Sequence, residues 1–221
     1  MHTKRISAPA SWRIARKQHK WVVNPNCGPY AKASCVPMAL MLRDVIKCCD
    51  SAHEAKHIVS NRLVKVDGRV ITDHSFPVGL MASVSIGEDY YRVALDMKGL
   101  KVAKTDAESA STKLVRVMDV RNIRGGKFQC SMHDGRNIIL DENRYRTGTT
   151  LKIRVPEQEI MESYDLKEGN LALITKGKHM GKTAKITGAR SLPGSQPNVI
   201  VFDGFEVPAD AVFVIGGENY V

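Results

Sequence analysis

The chain is short of the features that mark a defined chemistry. Its 221 residues hold only five cysteines, Cys27, Cys35, Cys48, Cys49 and Cys130, and none forms a C-x-x-C pair. That spacing excludes a zinc knuckle and offers no disulfide framework. Reduced thiols of a cytoplasmic protein are expected instead, several of them buried as small apolar side chains. No apolar run reaches the length of a membrane span, and the N-terminus has no signal-peptide apolar core. Internal repeats and low-complexity tracts are also missing. Acids are lacking altogether from residues 1–43, which carry eight Lys and Arg. The rest of the chain holds 25 Lys and Arg against 23 acids, so most of the net charge of +10 lies in the first fifth. A segment of this kind binds phosphates through charge and counterion release.

What is present begins with that basic segment. Residues 1–35 read as an extended or irregular extension that orders on its ligand. Its cations Lys4, Arg5, Arg13, Arg16, Lys17 and Lys20 are candidate phosphate contacts. Trp12 and Trp21 sit among them. They either stack on unpaired bases or pack the extension onto the body.

Residues 36–87 read as a helix–helix–hairpin module. Val36-Pro37-Met38 opens a first helix with apolar positions through Leu42, Val45, Ile46 and Cys49. Ser51 and Glu54 have capping-box spacing, which starts a second helix running to about Ser60. Asn61 is its expected left-handed cap. Asp67-Gly68 between two β-branched runs predicts a tight hairpin. Basic residues spread over the module: Arg43, Lys47, Lys56, Arg62, Lys65 and Arg69. From residue 88 to 164 short β-branched runs recur between turn residues, which suits a small barrel or a curled antiparallel sheet. Residues 165–221 read as a second small β unit around the loop Lys176–Lys182, with strands at Leu171–Ile174, Thr183–Ile186, Asn198–Phe202 and Ala211–Ile215. The fold class is therefore α+β.

Two strings tempt toward enzymology. His53-Glu54-Ala55-Lys56-His57 spells H-E-x-x-H, in which two His one helical turn apart hold zinc. The helix is only about ten residues long, lies in a basic surface and has no evident third ligand. His53, Lys56 and His57 read better as exposed residues near phosphates. Gly177-Lys178-His179-Met180-Gly181-Lys182-Thr183 is similar to a P-loop but has three residues between its glycines where four are needed. Its flanks read as β on both sides, so no helix N-terminus is available to hold a nucleotide. Lys176, Lys178 and Lys182 are instead displayed at a turn. No catalytic residue, metal or cofactor is expected.

Several stretches resemble the small-subunit ribosomal protein S4e family of archaea and eukaryotes. Val36–Ile86 looks like an S4 RNA-binding domain, notably in Val66-Asp67-Gly68-Arg69-Val70. Phe76-Pro77-Val78-Gly79-Leu80-Met81, His133-Asp134-Gly135-Arg136-Asn137-Ile138 and Pro156-Glu157-Gln158 look like family-specific runs. Leu166–Gly188 looks like a KOW element with Gly181 at its key position, in an SH3-like domain. The resemblance covers nearly the whole chain. It implies a non-catalytic constituent of the cytoplasmic small ribosomal subunit. Its partners would be small-subunit rRNA and neighbouring ribosomal proteins, with no membrane or small-molecule substrate. The rival readings are an RNA-modifying enzyme with an S4-like targeting module and a KOW-bearing transcription or translation factor.

Overall fold

The structure, a computed structural model, describes residues 2–194 and 196–216. The chain divides into two compact units. The first runs through Lys113 and includes 155–157; the second comprises Leu114–Arg154 and the residues from Gln158 on.

In the first unit the N-terminal extension is folded. Strand β1 (His2–Lys4) pairs antiparallel with β2 (Trp21–Val23), and the bend between them is held by side chains. Segments with few regular backbone bonds leave carbonyls to satisfy, and the five N–H donors of arginine suit that task. Arg16 donates to the carbonyls of Ala8 and Pro9, both at 2.7 Å. Arg5, only 2% exposed, donates to Ala15 O at 2.6 Å.

Strand β3 (Cys35–Pro37) pairs with β6 (Pro77–Gly79). The helix predicted to open at Val36 therefore starts later. Proline disfavours helical geometry in the residue before it, and here Val36 is extended and sits opposite Val78. Helix α1 (Met38–Leu40) widens into a π-helical turn over Met41–Ile46 and stops at Lys47, whose φ is 62°. Helix α2 (Ala52–Ser60) carries the expected capping box. Ser51 Oγ accepts from Glu54 N at 3.1 Å, and Glu54 Oε2 accepts from the Asp50 and Ser51 amides. Ala55 and Val59 form its buried face. The left-handed residue at its end is Arg62 (φ 61°), not Asn61 (φ −76°). One residue further on, the chain turns into the hairpin.

Bonds to the Asp50 amide, the Ser51 hydroxyl and the Ser51 amide hold the Glu54 carboxyl below its usual range. A depressed carboxylate stabilises the fold above its unfolded pKa, and that contribution is lost as pH falls through the lower folded value. Ser51→Ala is expected to cost about 1 kcal/mol at pH 7. A urea titration checks this, and the gap between variant and parent should shrink below the ordinary glutamate range.

Strands β4 (Val64–Val66), β5 (Arg69–Val70), β7 (Ser83–Ile86), β8 (Asp89–Asp96) and β9 (Gly99–Thr105) form one sheet in the order β5-β4-β7-β8-β9. Asp67 and Gly68 both have positive φ, 49° and 77°, which closes the β4–β5 hairpin with the twist its strands need. The β7–β8 hairpin pairs Ile86 with Asp89, so the sheet runs across the boundary expected at residues 87–88. Gly79 permits a close approach: a Cβ there would lie 2.3 Å from the Tyr30 ring.

Helix α3 (Ala107–Ala110) leads into β10 (Thr112–Asn122). In the second unit β10 joins β11 (Phe128–Met132), β12 (Asn137–Leu140), β13 (Thr150–Arg154) and β14 (Ile160–Tyr164) in the order β12-β11-β10-β13-β14. Of the two expected forms, a small barrel or a curled antiparallel sheet, the sheet takes the open one, with β12 and β14 as its terminal strands. The C-terminal sheet contains β15 (Leu171–Ile174), β16 (Thr183–Arg190), β17 (Val199–Phe202), β18 (Phe205–Pro208) and β19 (Val212–Gly216). It is antiparallel throughout, with β19 returning beside β15. Ile174, Ile186, Ile200, Phe202 and Val214 fill its core. Strand β18 was not foreseen: Phe205-Glu206-Val207-Pro208 is short and ends in proline.

Candidate nucleic-acid interface

The structure sorts the expected contacts into two groups. Four of the N-terminal candidates are consumed by the fold. Trp12 is 2% exposed, and its indole Nε1 donates to Cys35 O at 2.5 Å. Arg5 is buried and also pairs with Asp44 at 3.5 Å. Arg13 pairs with Asp96 at 2.7 Å. Arg16 is occupied by the carbonyls already described. Burial corrects Trp12 and Arg5 from RNA contacts to internal ties, while Arg13 and Arg16 are half-buried and spend donors on internal partners. Counting cations cannot separate the two roles, since a buried guanidinium and an exposed one contribute equally to sequence charge.

Lys4, Lys17, Lys20 and Trp21 remain on the outside. Lys4 lies opposite Trp21 across the β1–β2 pair, and Lys20 Nζ stands 5.4 Å from the Trp21 ring centroid. Trp21 is 46% exposed. An aromatic face flanked by two ammonium groups can stack on a base while its neighbours hold phosphates.

On the helix–hairpin module Lys47, Lys56, His57, Arg62, Lys65 and Arg69 are all exposed. Period decides this in each element. Helical spacing turns Ala55 and Val59 inward and leaves Lys56 and His57 outside. In β4 the alternation buries Val64 and Val66 and points Lys65 out. Lys47 and Arg62 sit at left-handed positions just past their helices. Arg43 differs. Its Nε and one terminal nitrogen donate to the two carboxylate oxygens of Asp44 at 2.9 and 3.0 Å. That bidentate pair leaves it a poor phosphate ligand.

His53 and His57 share an exposed face, with Asn61 Nδ2 at 3.2 Å from His57 Nδ1. Among the described residues no three His, Cys, Asp or Glu side chains converge as metal ligands. Burial raises the thiol pKa of both Cys35 and Cys49 to about 11, so neither is a ready nucleophile.

The loop between β15 and β16 is a closed strand turn. Gly177 (φ 85°) and Gly181 (φ 82°) shape it, and Gly181 N donates to Ile174 O at 2.8 Å. Strands on both sides exclude a P-loop. Lys178 and Lys182 are exposed, whereas Lys176 pairs with Asp210 at 3.2 Å. His179 stacks on Phe205, 4.4 Å between centroids, which fixes the tip against β18.

The comparisons with known proteins agree in order along the chain. Residues 1–33 match the RS4NT domain, 45–84 the S4 domain, and 87–160 the ribosomal family S4e. The small ribosomal subunit protein eS4 of Methanothermobacter thermautotrophicus is 38% identical over 228 residues, covering 100% of this chain and 94% of that protein. The eS4 protein of Methanocaldococcus jannaschii is 38% identical over 233 residues, covering 99% and 95%. The crystal structure of the 30S ribosomal protein S4e from Thermoplasma acidophilum superposes with a TM-score of 0.76 at 34% identity, over 85% of this chain and 99% of that one. Sequence, domain order and backbone thus converge, and this chain belongs to the S4e family of small-subunit ribosomal proteins, which are structural components and not enzymes.

Proposed function

We propose that the chain binds small-subunit rRNA through the exposed cations of its helix–hairpin module, holding RNA and neighbouring proteins together during assembly of the cytoplasmic small subunit. The observation that carries this is that Lys47, Lys56, His57, Arg62, Lys65 and Arg69 are all exposed within one S4-type module. Phosphate contacts of this kind position a protein on RNA without reading its sequence, so shape supplies the selectivity. Lys4, Lys17, Lys20 and Trp21 form a second contact on the N-terminal sheet. Lys178 and Lys182 form a third on the KOW-like turn.

The test is sedimentation. The chain is expected to co-migrate with small ribosomal subunits and to remain there at moderate salt. Recovery chiefly in ribosome-free fractions would instead support a factor that exchanges on and off the machinery.

A further inference from the structure

The open sheet of the second unit leaves a cleft of about 620 Å³ between its two terminal strands, β12 and β14. Its apolar lining residues are Ile139, Leu140, Tyr145, Ile160 and Met161, with Ile139 58% and Met161 47% exposed. Edge strands present unpaired N–H and C=O groups, and proteins ordinarily blunt them with lysine, proline or a bulge. Strand β12, Asn137-Ile138-Ile139-Leu140, carries no charge and no proline. Two strand edges facing one cleft that exposes Ile139 and Met161 are suited to receive an added strand.

The charge at the mouth selects the occupant. Asp141, Glu142 and Glu162 line the cleft against a single cation, Arg144. Arg144 pairs with Glu142 at 3.0 Å and Lys127 pairs with Asp141 at 3.2 Å, all on highly exposed side chains. The Tyr164 hydroxyl donates to Glu162. Exposed pairs of this kind are weak and exchange readily for other partners. An acidic rim on a chain of net charge +10 repels RNA and attracts a basic polypeptide. None of the polar residues lining the cleft is buried, so it lacks the fixed groups that orient a small molecule.

We propose that the cleft between β12 and β14 is a docking site for an extended basic segment of another protein, added to the sheet edge as a strand. Apolar residues of the segment would face Ile139 and Met161, and alternate lysines or arginines would meet Asp141, Glu142 and Glu162. The source of the segment, a neighbouring small-subunit protein, rests on the ribosomal reading; the cleft chemistry does not.

The test uses the full chain and a fluorescent peptide of about ten residues that alternates lysine and valine. Anisotropy is expected to show saturable binding. Two changes should each weaken it by about tenfold: neutralising the rim with Asp141→Asn, Glu142→Gln and Glu162→Gln together, and N-methylating alternate peptide amides. The second leaves the protein untouched, and Ile139→Lys is an independent check on the apolar floor. Failure of the parent chain to bind, indifference to either change, or equal binding of a glutamate–valine peptide overturns the proposal. So does self-association or RNA binding that the rim variant abolishes. Affinity for an rRNA fragment, measured on the same variants, should stay unchanged, which separates failure of the cleft from failure of the RNA reading.

Discussion

Replacing Lys113 with Met is expected to destabilise the first unit by about 3–5 kcal/mol, a large share of a typical domain's total stability. The Lys113 side chain has no exposed surface. Its Nζ donates to Asp67 Oδ2 at 2.7 Å and to the Tyr30 hydroxyl at 3.0 Å, and lies 5.6 Å from the Tyr30 ring centroid. Asp67 is the first residue of the hairpin turn, and its other carboxylate oxygen accepts from Ser83 N at 2.9 Å. Tyr30 passes the network on by donating to Leu80 O at 3.1 Å. One ammonium thus joins the N-terminal segment, the S4-type hairpin and the start of β10. Removing it takes from the buried Asp67 carboxylate its hydrogen-bonded cation. Adding Asp67→Asn to Lys113→Met should recover part of the loss, because the uncompensated charge goes with it. Denaturant unfolding of both variants measures this. Equal stability of the single and double variants would mean that lost packing, rather than a stranded charge, sets the cost.

Replacing Lys47, Lys56, Lys65 and Arg69 together with Ala should weaken binding to a small-subunit rRNA fragment by roughly 100-fold and flatten the salt dependence of log K by about four. All four side chains are exposed, so unfolding by denaturant should change little. Arg43→Ala is the informative contrast. Its guanidinium is held by Asp44, and its loss should alter stability more than the salt slope. Arg5→Met belongs with it, as the loss of a buried donor to Ala15 O and a partner of Asp44. A quadruple variant with unchanged affinity and salt slope would take the module out of the interface. The remaining candidates would then be the Trp21 patch and the β15–β16 turn.

Much of the chain was legible because its signals are local. The capping box at Ser51 and Glu54, the Asp67-Gly68 turn and the alternation in β4 depend on neighbours within a few residues. The same is true of the argument against a P-loop, which needed only strands on both flanks. Even the start of the first helix had its correction in the sequence, since Pro37 constrains Val36. The burial of Lys113 also has a sequence signal. Its period-two spacing with Val115 and Val117, both fully buried, places it on the inward face of β10.

Charge, turn chemistry and hydrophobic period were thus enough to read a basic α+β chain with a helix–helix–hairpin module, whereas its S4 character came from resemblance. The properties so read are sums over composition or near neighbours, and no contact map is needed for them. Which cations remain free was a different kind of question. Arg5, Arg13 and Arg16 look no different in sequence from Lys17 and Lys20, but their partners Asp44, Asp96 and the Ala8 and Pro9 carbonyls are brought to them only by folding. The open edges of β12 and β14 have the same origin. Whether two strands meet depends on long-range register and on where each one stops, so only the tertiary structure could decide that a cleft lies between them.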